Sequence, residues 1–202
     1  GGRMIIGVTN IKGGVGKTTS SLAIATAAQR SGLSVTVVDT DPQGSATLWA
    51  QAAEDADDPL PFPVVSKNQA EIRRMRERRP DRDGELIVID TPPNGAVVDE
   101  VIKTADFVVI PTLSSPIDLQ QTMLTAAQCQ DAGKDYAVLI VMARKGTNAL
   151  RAFRTAVEEY GAGIFDTEIP LREDFKADFG HTFRSNLNGY EDVWNELRGE
   201  LR

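Results

Sequence analysis

Cysteine and histidine are almost absent from this sequence. Its 202 residues include one cysteine, Cys129, and one histidine, His181, far apart along the chain. This composition excludes a disulfide framework and offers no set of side chains for a metal site or a metal cluster. With no disulfide to form, the chain is expected in a reducing cytoplasm.

Long apolar runs and an excess of positive charge are also missing. No run approaches the length of a membrane-spanning helix, and no signal peptide is visible. The 22 lysines and arginines are outnumbered by 29 aspartates and glutamates, which gives a net charge of −7. This balance disfavours a simple basic nucleic-acid-binding protein, but it leaves room for a local basic patch.

What the chain does contain fits one globular domain. Hydrophobic residues make up 41% of it, and 202 residues are enough for an α/β domain with a full core. We interpret residues 1–3, which precede Met4, as a cloning remnant, and residues 4–202 as a single domain.

Apolar runs alternate with helix-like segments along the chain. Several runs are continuous in Val, Ile and Leu, which is typical of strands buried on both faces of a parallel sheet. The pattern predicts an α/β fold with a doubly wound, mostly parallel sheet. The predicted strands are 4–9, 33–39, 62–65, 86–90, 107–111, 137–143 and 164–169, and the predicted helices lie near 18–31, 45–53, 68–79, 96–104, 117–132 and 148–160.

A glycine-rich loop, KGGVGKTT at 12–19, follows the first predicted strand directly. Glycines let backbone N–H groups close around phosphate oxygens, and the helix that follows adds its positive N-terminal end. The ordinary phosphate-binding loop has glycine at the position of Ile11. This loop instead contains a second lysine, Lys12, in addition to Lys17. A loop with two lysines indicates a narrower class of nucleotide-binding proteins than the ordinary phosphate-binding loop does.

Acidic residues stand at the ends of two predicted strands, where ligands of doubly wound sheets bind. Asp39 ends the second strand, Asp41 lies two residues beyond it, and Asp90 ends the fourth. An apolar strand that delivers aspartate is the Walker B arrangement, which holds Mg²⁺. This constellation predicts phosphoryl transfer to water: Lys17 neutralises phosphate charge, the Thr18 hydroxyl ligates Mg²⁺, and Asp41 positions the water.

Three motifs in order resemble one family. KGGVGKTT at 12–19, DTDPQGS at 39–45 and IDTPP at 89–93 resemble the deviant Walker ATPases of the ParA/MinD family, and the stretch 110–118 resembles its small ParA branch. The resemblance implies a P-loop NTPase fold over 4–202. It also implies a weak Mg²⁺-ATPase that dimerises with ATP, binds DNA non-specifically and partitions DNA or positions cargo. A ParB-like or cargo-adaptor partner would stimulate hydrolysis, and the protein would associate with the nucleoid.

The resemblance also assigns site residues. Lys12 is expected to reach the partner's phosphates across an ATP-bound dimer, Asp41 to act in hydrolysis and Asp39 to lie near Mg²⁺. The nucleotide is expected to be ATP, because the Asn-Lys-x-Asp signature of common GTPases is absent. The full candidate set is, for catalysis, Lys12, Lys17 and Asp41; for nucleotide binding, Lys12, Gly13, Gly14, Val15, Gly16, Lys17, Thr18, Thr19, Arg144, Pro170, Leu171 and Arg172; for the metal, Thr18, Asp39 and Asp90; and for DNA, Arg144, Lys145, Arg151, Arg154, Arg172, Lys176 and Arg184.

Two segments leave alternatives open. An arginine-rich run at 73–79 is interpreted either as a solvated face paired with Glu71 and Glu77 or as a DNA or partner contact. Apolar residues at helical spacing over 190–201 fit a helix docked on the protein's own sheet better than a membrane anchor, because the polar positions are mostly acidic.

Rival functions remain at this point. One is a MinD-like, membrane-cycling positioning ATPase. Another is an ATP-dependent ligase of the dethiobiotin-synthetase type. A metal-cluster carrier is disfavoured by the single cysteine.

Overall fold

A computed structural model of the chain describes residues 2–14, 16–78, 84–172 and 178–201. Of the candidate site residues, Val15 and Lys176 lie outside these ranges, as does Arg79 of the arginine-rich run. Within the described ranges the elements are β1 (Met4–Val8), α1 (Lys17–Arg30), β2 (Ser34–Asp39), α2 (Ser45–Asp55), β3 (Val64–Ser66), α3 (Gln69–Glu77), β4 (Glu85–Asp90), α4 (Ala96–Thr104), β5 (Phe107–Thr112), α5 (Pro116–Asp131), β6 (Asp135–Ile140), α6 (Asn148–Glu159) and α7 (Tyr190–Glu200).

The strands form one parallel sheet in the order β3-β2-β4-β1-β5-β6. The predicted α/β fold with a doubly wound parallel sheet is confirmed. Asp90 pairs in register with Val8 on one side and with Asp39 on the other. The carboxyl ends of β1, β2 and β4 therefore meet at one edge, which brings the glycine loop and both strand-end aspartates together.

Alternate strand residues feed two hydrophobic cores on opposite faces of the sheet. Ile6 and Val88 face the core shared with α1, α2 and α7. Ile5 and Ile87 face the core shared with α3, α4 and α5. On that second face, α6 packs with α5 over β6. Each buried aliphatic side chain stabilises the fold by about 1.5–3 kcal/mol, so both cores stabilise the strands that carry the site.

The predicted seventh strand at 164–169 is wrong. In the described chain this segment makes one isolated bridge, between Ile164 and Val138 of β6, and a second bridge, between Pro170 and Ala143, follows it. Between them the N–H groups of Asp166 and Thr167 donate to the Glu196 carboxylate of α7, at 3.0 and 2.9 Å. Because these donors are taken by a side chain, the strand ladder is interrupted.

Glu196→Ala is expected to lower the free energy of unfolding by about 1–3 kcal/mol, since hydrogen bonds to a charged acceptor contribute roughly that much. Glu196 also accepts the Thr167 hydroxyl at 2.6 Å. Urea unfolding followed by circular dichroism measures the loss. Glu200→Ala, an exposed position on the same helix, serves as control, and an equal loss in both variants would contradict the assignment.

The C-terminal helix docks on the body of the protein. Its buried residues Tyr190, Val193, Trp194 and Leu197 join the core of the first face, and α7 packs against α1. This agrees with the expectation of a docked helix. In the part of the chain that the structure describes, no helix is both long and apolar enough to cross a bilayer.

The arginine-rich run is partly structural. Arg73 and Arg76 both bind the Glu100 carboxylate of α4, at 2.9 and 3.0 Å. The predicted pairing with Glu71 is wrong, because the Glu71 side chain instead accepts the Asn68 N–H in a capping box at the start of α3. These contacts join α3 to α4.

Candidate functional site

The glycine loop between β1 and α1 leaves the start of α1 open. Gly14 and Gly16 have φ values of 73° and 71°, a left-handed conformation that costs other residues about 1–2 kcal/mol. Gly16 is the N-cap of α1 and supplies no side-chain cap. The first N–H groups of α1 and its positive dipole end are thus available to an anion.

Lys17 lies inside the loop. The residue is buried, and its Nζ donates to the Lys12 carbonyl oxygen at 2.9 Å. Burial lowers the pKa of Lys17, and the charges of Asp90 and Asp41 oppose that shift. A buried ammonium group bonded to a neutral carbonyl would gain from a phosphate in its place, so the loop fits the phosphate groups of a nucleotide.

Thr18 and Asp90 face each other across the site. The Thr18 hydroxyl donates to Asp90 Oδ2 at 2.7 Å, and Ser21 donates to Oδ1 at 3.2 Å. Asp90 is buried, and burial raises its pKa to about 7, with the nearby Asp39 charge adding to the shift. Two buried carboxylates beside a hydroxyl group fit a divalent cation, which would offset their charge.

The protein supplies few ligands of its own to such a cation. Over the described residues, no group of three or more His, Cys, Asp or Glu side chains could hold a metal ion. Mg²⁺ characteristically takes one or two protein ligands and completes its shell with water and phosphate oxygens. The donor set of Thr18 and Asp90 therefore fits Mg²⁺ bound together with a nucleotide.

Asp39 organises the loop that carries Asp41. Its Oδ1 accepts the Asp41 N–H at 3.0 Å, and its Oδ2 accepts the N–H and hydroxyl of Thr47 at 3.0 and 2.7 Å. Thr47 lies in the first turn of α2, whose own N-cap, Gly44, has no side chain to cap it. Both Asp39 oxygens are therefore engaged in fixing the loop and the start of α2. Direct ligation of Mg²⁺ by Asp39 stays a prediction.

Lys12 lies on the rim of the site and is bound within its own chain. Its Nζ contacts Asp118 Oδ1 at 2.7 Å, and the side chain keeps 36% of its exposure. Asp118 is the third residue of α5 and completes a capping box with Ser115. Sequence reasoning missed this partner, although a Ser-x-x-Asp capping signature precedes α5.

A mainly apolar cavity of about 120 Å³ adjoins the loop. Three of the residues predicted to contact the base, Pro170, Leu171 and Arg172, line it, and Arg144 is not among its lining residues. Gly16 and Thr19 of the predicted phosphate loop also line it, as does Met142, from the stretch 142–146 for which the sequence also predicts base contact. Val141, Ile169 and Tyr190 complete the lining and were not predicted.

The candidate DNA-binding residues do not form one equivalent set. Arg144, Lys145 and Arg151 are exposed on the loop after β6 and the first turn of α6. Arg154 instead donates to Glu168 and to the Phe165 carbonyl, both at 3.0 Å. Its guanidinium thus joins α6 to the 165–168 segment. Arg172 is exposed beside the cavity, and the exposed Arg184 lies 3.9 Å from Asp178.

Comparison with known proteins decides the family. The model of the CobQ/CobB/MinD/ParA nucleotide-binding domain matches residues 6–182. The chain belongs to this family. The match contains the whole glycine loop and all three strand-end aspartates, which is what the motifs at 12–19, 39–45 and 89–93 predicted.

Relatives of the chain include two proteins named for the maintenance of carboxysome distribution. The chain is 35% identical to maintenance of carboxysome distribution protein A of Gloeobacter kilaueensis, over 82% of this chain and 76% of the relative. It is 30% identical to the protein of that name from Halothiobacillus neapolitanus, over 85% and 81%. The fold matches a plasmid partition protein of Borrelia burgdorferi bound to AMPPNP, with a TM-score of 0.76, 17% identity and coverage of 99% of this chain and 100% of that one.

Proposed function

We propose that this protein is a Mg²⁺-ATP-dependent positioning switch of the ParA type. The protein binds ATP and pairs with a second copy, and the dimer binds DNA without sequence preference. A ParB-like or cargo-adaptor protein stimulates ATP hydrolysis, which releases the dimer from DNA. The observation that carries the proposal is the different placement of the two loop lysines. The Lys17 ammonium group is buried inside the loop and binds the Lys12 carbonyl oxygen. The Lys12 ammonium group lies on the rim of the loop and binds Asp118, so the two lysines do not occupy the same phosphate-binding position.

Each side chain has a distinct role in the proposed reaction. Lys17 neutralises phosphate charge inside the loop, and Thr18 with Asp90 would hold Mg²⁺. Bound there, Mg²⁺ would supply positive charge to the phosphate oxygens. Asp41 orients the attacking water, and Asp39 holds Asp41 in place. Such catalysis is mostly positioning and electrostatics.

The apolar cavity beside the loop is the proposed base site. Its walls from Met142, Leu171 and Tyr190 are the mainly apolar side chains against which a purine ring would pack. The ATP analogue AMPPNP bound by the Borrelia burgdorferi partition protein of the same fold and the absence of a guanine-specific Asn-Lys-x-Asp sequence support ATP as the nucleotide.

DNA binding is the property that tests the proposal most directly. We expect a random-sequence DNA duplex to bind with Mg²⁺-ATP and to bind weakly with ADP or without nucleotide, as measured by fluorescence anisotropy. Because phosphate contacts release counterions, affinity should fall steeply as salt rises, with a log–log slope of about −0.9 per contact. ATP-independent binding, or binding insensitive to salt, would contradict the proposal.

Charge-neutralising variants locate the DNA surface. Lys145→Gln combined with Arg151→Gln should reduce the salt slope by about 1 for each contact removed. Lys103→Gln, an exposed lysine near the end of α4, is the matched control and should leave the slope unchanged. Since Arg154 is engaged inside the protein, we leave it out of the proposed DNA surface.

Two rival functions make different predictions. A membrane-cycling ATPase would co-sediment with anionic liposomes in the presence of ATP, but the apolar side of α7 is buried against the body of the protein. A ligase would require a small carboxylic or amino substrate for turnover. ATP turnover stimulated by DNA and a partner protein, with no small substrate present, supports the switch.

A further inference from the structure

We infer that Asp118 is a positioning residue that retains Lys12 on its own chain until a second, nucleotide-bound copy pairs with it, and so sets the threshold for pairing of two copies. The inference rests on the proposed function in one respect: it requires that Lys12 contacts the nucleotide phosphates bound by a second copy of the chain. The retention itself is a property of the single, nucleotide-free chain.

The ion pair between Lys12 and Asp118 is buried at its Asp118 end and partly exposed at its Lys12 end. Asp118 keeps 2% of its side-chain exposure, against 36% for Lys12, and the Nζ to Oδ1 distance is 2.7 Å. Asp118 Oδ2 is already engaged by the N–H group and the hydroxyl of Ser115. Departure of Lys12 would therefore leave Oδ1 of a buried carboxylate without a cation, which is unfavourable unless Lys12 gains a stronger partner.

The position of α5 relative to the loop is itself fixed by buried polar groups. The Asn10 amide donates to the Pro111 carbonyl at 2.9 Å and to Thr122 at 3.2 Å, and Thr125 donates to Asn10 at 3.2 Å. Asp118, Thr122 and Thr125 stand at intervals of four and three residues on α5, so they share one face of the helix. Lys12 thus meets Asp118 at a preset distance.

Nucleotide binding is connected to this contact through Lys17. In the described structure Lys17 Nζ donates to the carbonyl oxygen of Lys12, so the Lys17 side chain holds the Lys12 backbone in place. A phosphate in the loop competes for the Lys17 ammonium group and breaks its hydrogen bond to the Lys12 carbonyl oxygen. Lys12 is then held by Asp118 alone, and a second copy's phosphates have only that contact to overcome. Pairing before nucleotide binding is opposed by both contacts.

The first test uses the nucleotide-free chain. A double-mutant cycle with Lys12→Gln, Asp118→Asn and the double variant is measured by urea unfolding. We expect the pair to show a coupling of about tenfold in the unfolding equilibrium constant, within the range found for contacting residues. Coupling of less than twofold would overturn the inference, because Asp118 would then not retain Lys12.

The second test measures pairing. With a non-hydrolysable ATP analogue and Mg²⁺, sedimentation velocity should show that Asp118→Asn pairs at about fivefold lower protein concentration than the unmodified chain, the low end of typical coupling between sites. Ser115→Ala is the matched control: it removes the capping hydroxyl from Asp118 but keeps the carboxylate, so stability should fall while the pairing threshold stays.

The outcomes separate the two ideas. If the unmodified chain pairs but Asp118→Asn pairs at the same or a higher concentration, the retention role falls and the proposed function stands. If the unmodified chain stays monomeric and Asp118→Asn pairs, retention is supported more strongly. If neither pairs, both the pairing step of the proposed function and the threshold role of Asp118 are overturned.

Discussion

Asp41→Ala is expected to reduce ATP hydrolysis by about 100-fold, the lower end of what a positioned acid–base group contributes. Asp41 follows β2 at the edge where the glycine loop lies, and its charge acts on Lys17. Nucleotide binding should persist, because neither the loop nor the Thr18–Asp90 pair is altered. The variant should therefore remain on DNA with ATP. Phosphate release and DNA dissociation rates measure both effects.

A companion variant controls for the turn that Asp41 also stabilises. Asp41 Oδ1 accepts the Gln43 N–H at 2.9 Å, and asparagine at this position retains that acceptor without the negative charge. If Asp41→Asn hydrolyses ATP normally while Asp41→Ala does not, the residue acts through the turn and its catalytic assignment is wrong.

Lys17→Ala is expected to impair nucleotide binding, the step before hydrolysis, and to reduce hydrolysis as well. Removing the buried ammonium should weaken nucleotide binding by about 2–5 kcal/mol, the typical loss when one member of a buried, hydrogen-bonded charge pair is truncated. Hydrolysis at saturating ATP should fall by about 10²–10³ for lack of the charge that stabilises the transition state. Calorimetric titration with an ATP analogue and a single-turnover assay separate the two losses.

Another lysine at the same edge of the sheet provides the comparison for Lys17. Lys67 follows β3, and its N–H donates to the Asp39 carbonyl oxygen at 3.0 Å, a contact that does not depend on its side chain. Lys67→Ala should bind the analogue as tightly as the unmodified chain. Nucleotide affinity retained in Lys17→Ala would refute the phosphate-binding role.

Much of the fold and the central site could be predicted from the sequence because local signals determine them. Apolar runs identified the six parallel strands, and the sheet rule then placed the loop and the strand-end aspartates at one edge. The first and last residues of a strand carry weaker signals. The segment 164–169 was predicted as a strand although its centre is polar, and the distant Glu196 takes the N–H groups of that centre.

The partners of the polar side chains could not be predicted in the same way. Asp118 lies 106 residues from Lys12, and no periodicity relates two positions so far apart. Similarly, Arg73 and Arg76, two of the three arginines of α3, have a partner on the next helix, Glu100, and not the glutamates beside them in sequence. Short-range charge patterns indicate that partners exist, but the packing of elements decides which ones are used.

The end of the family match at residue 182 is not the end of the folding unit. Tyr190 of α7 lines the apolar cavity beside the glycine loop, and its hydroxyl group lies 2.7 Å from that of Ser20 in α1. A fragment that stops at residue 182 would retain every motif by which the family is identified. It would lose Tyr190 from the cavity wall and, with it, Phe183, Leu187, Val193, Trp194 and Leu197 from one core. Sequences cut to the matched region are therefore poor starting points for measuring the nucleotide affinity of this protein.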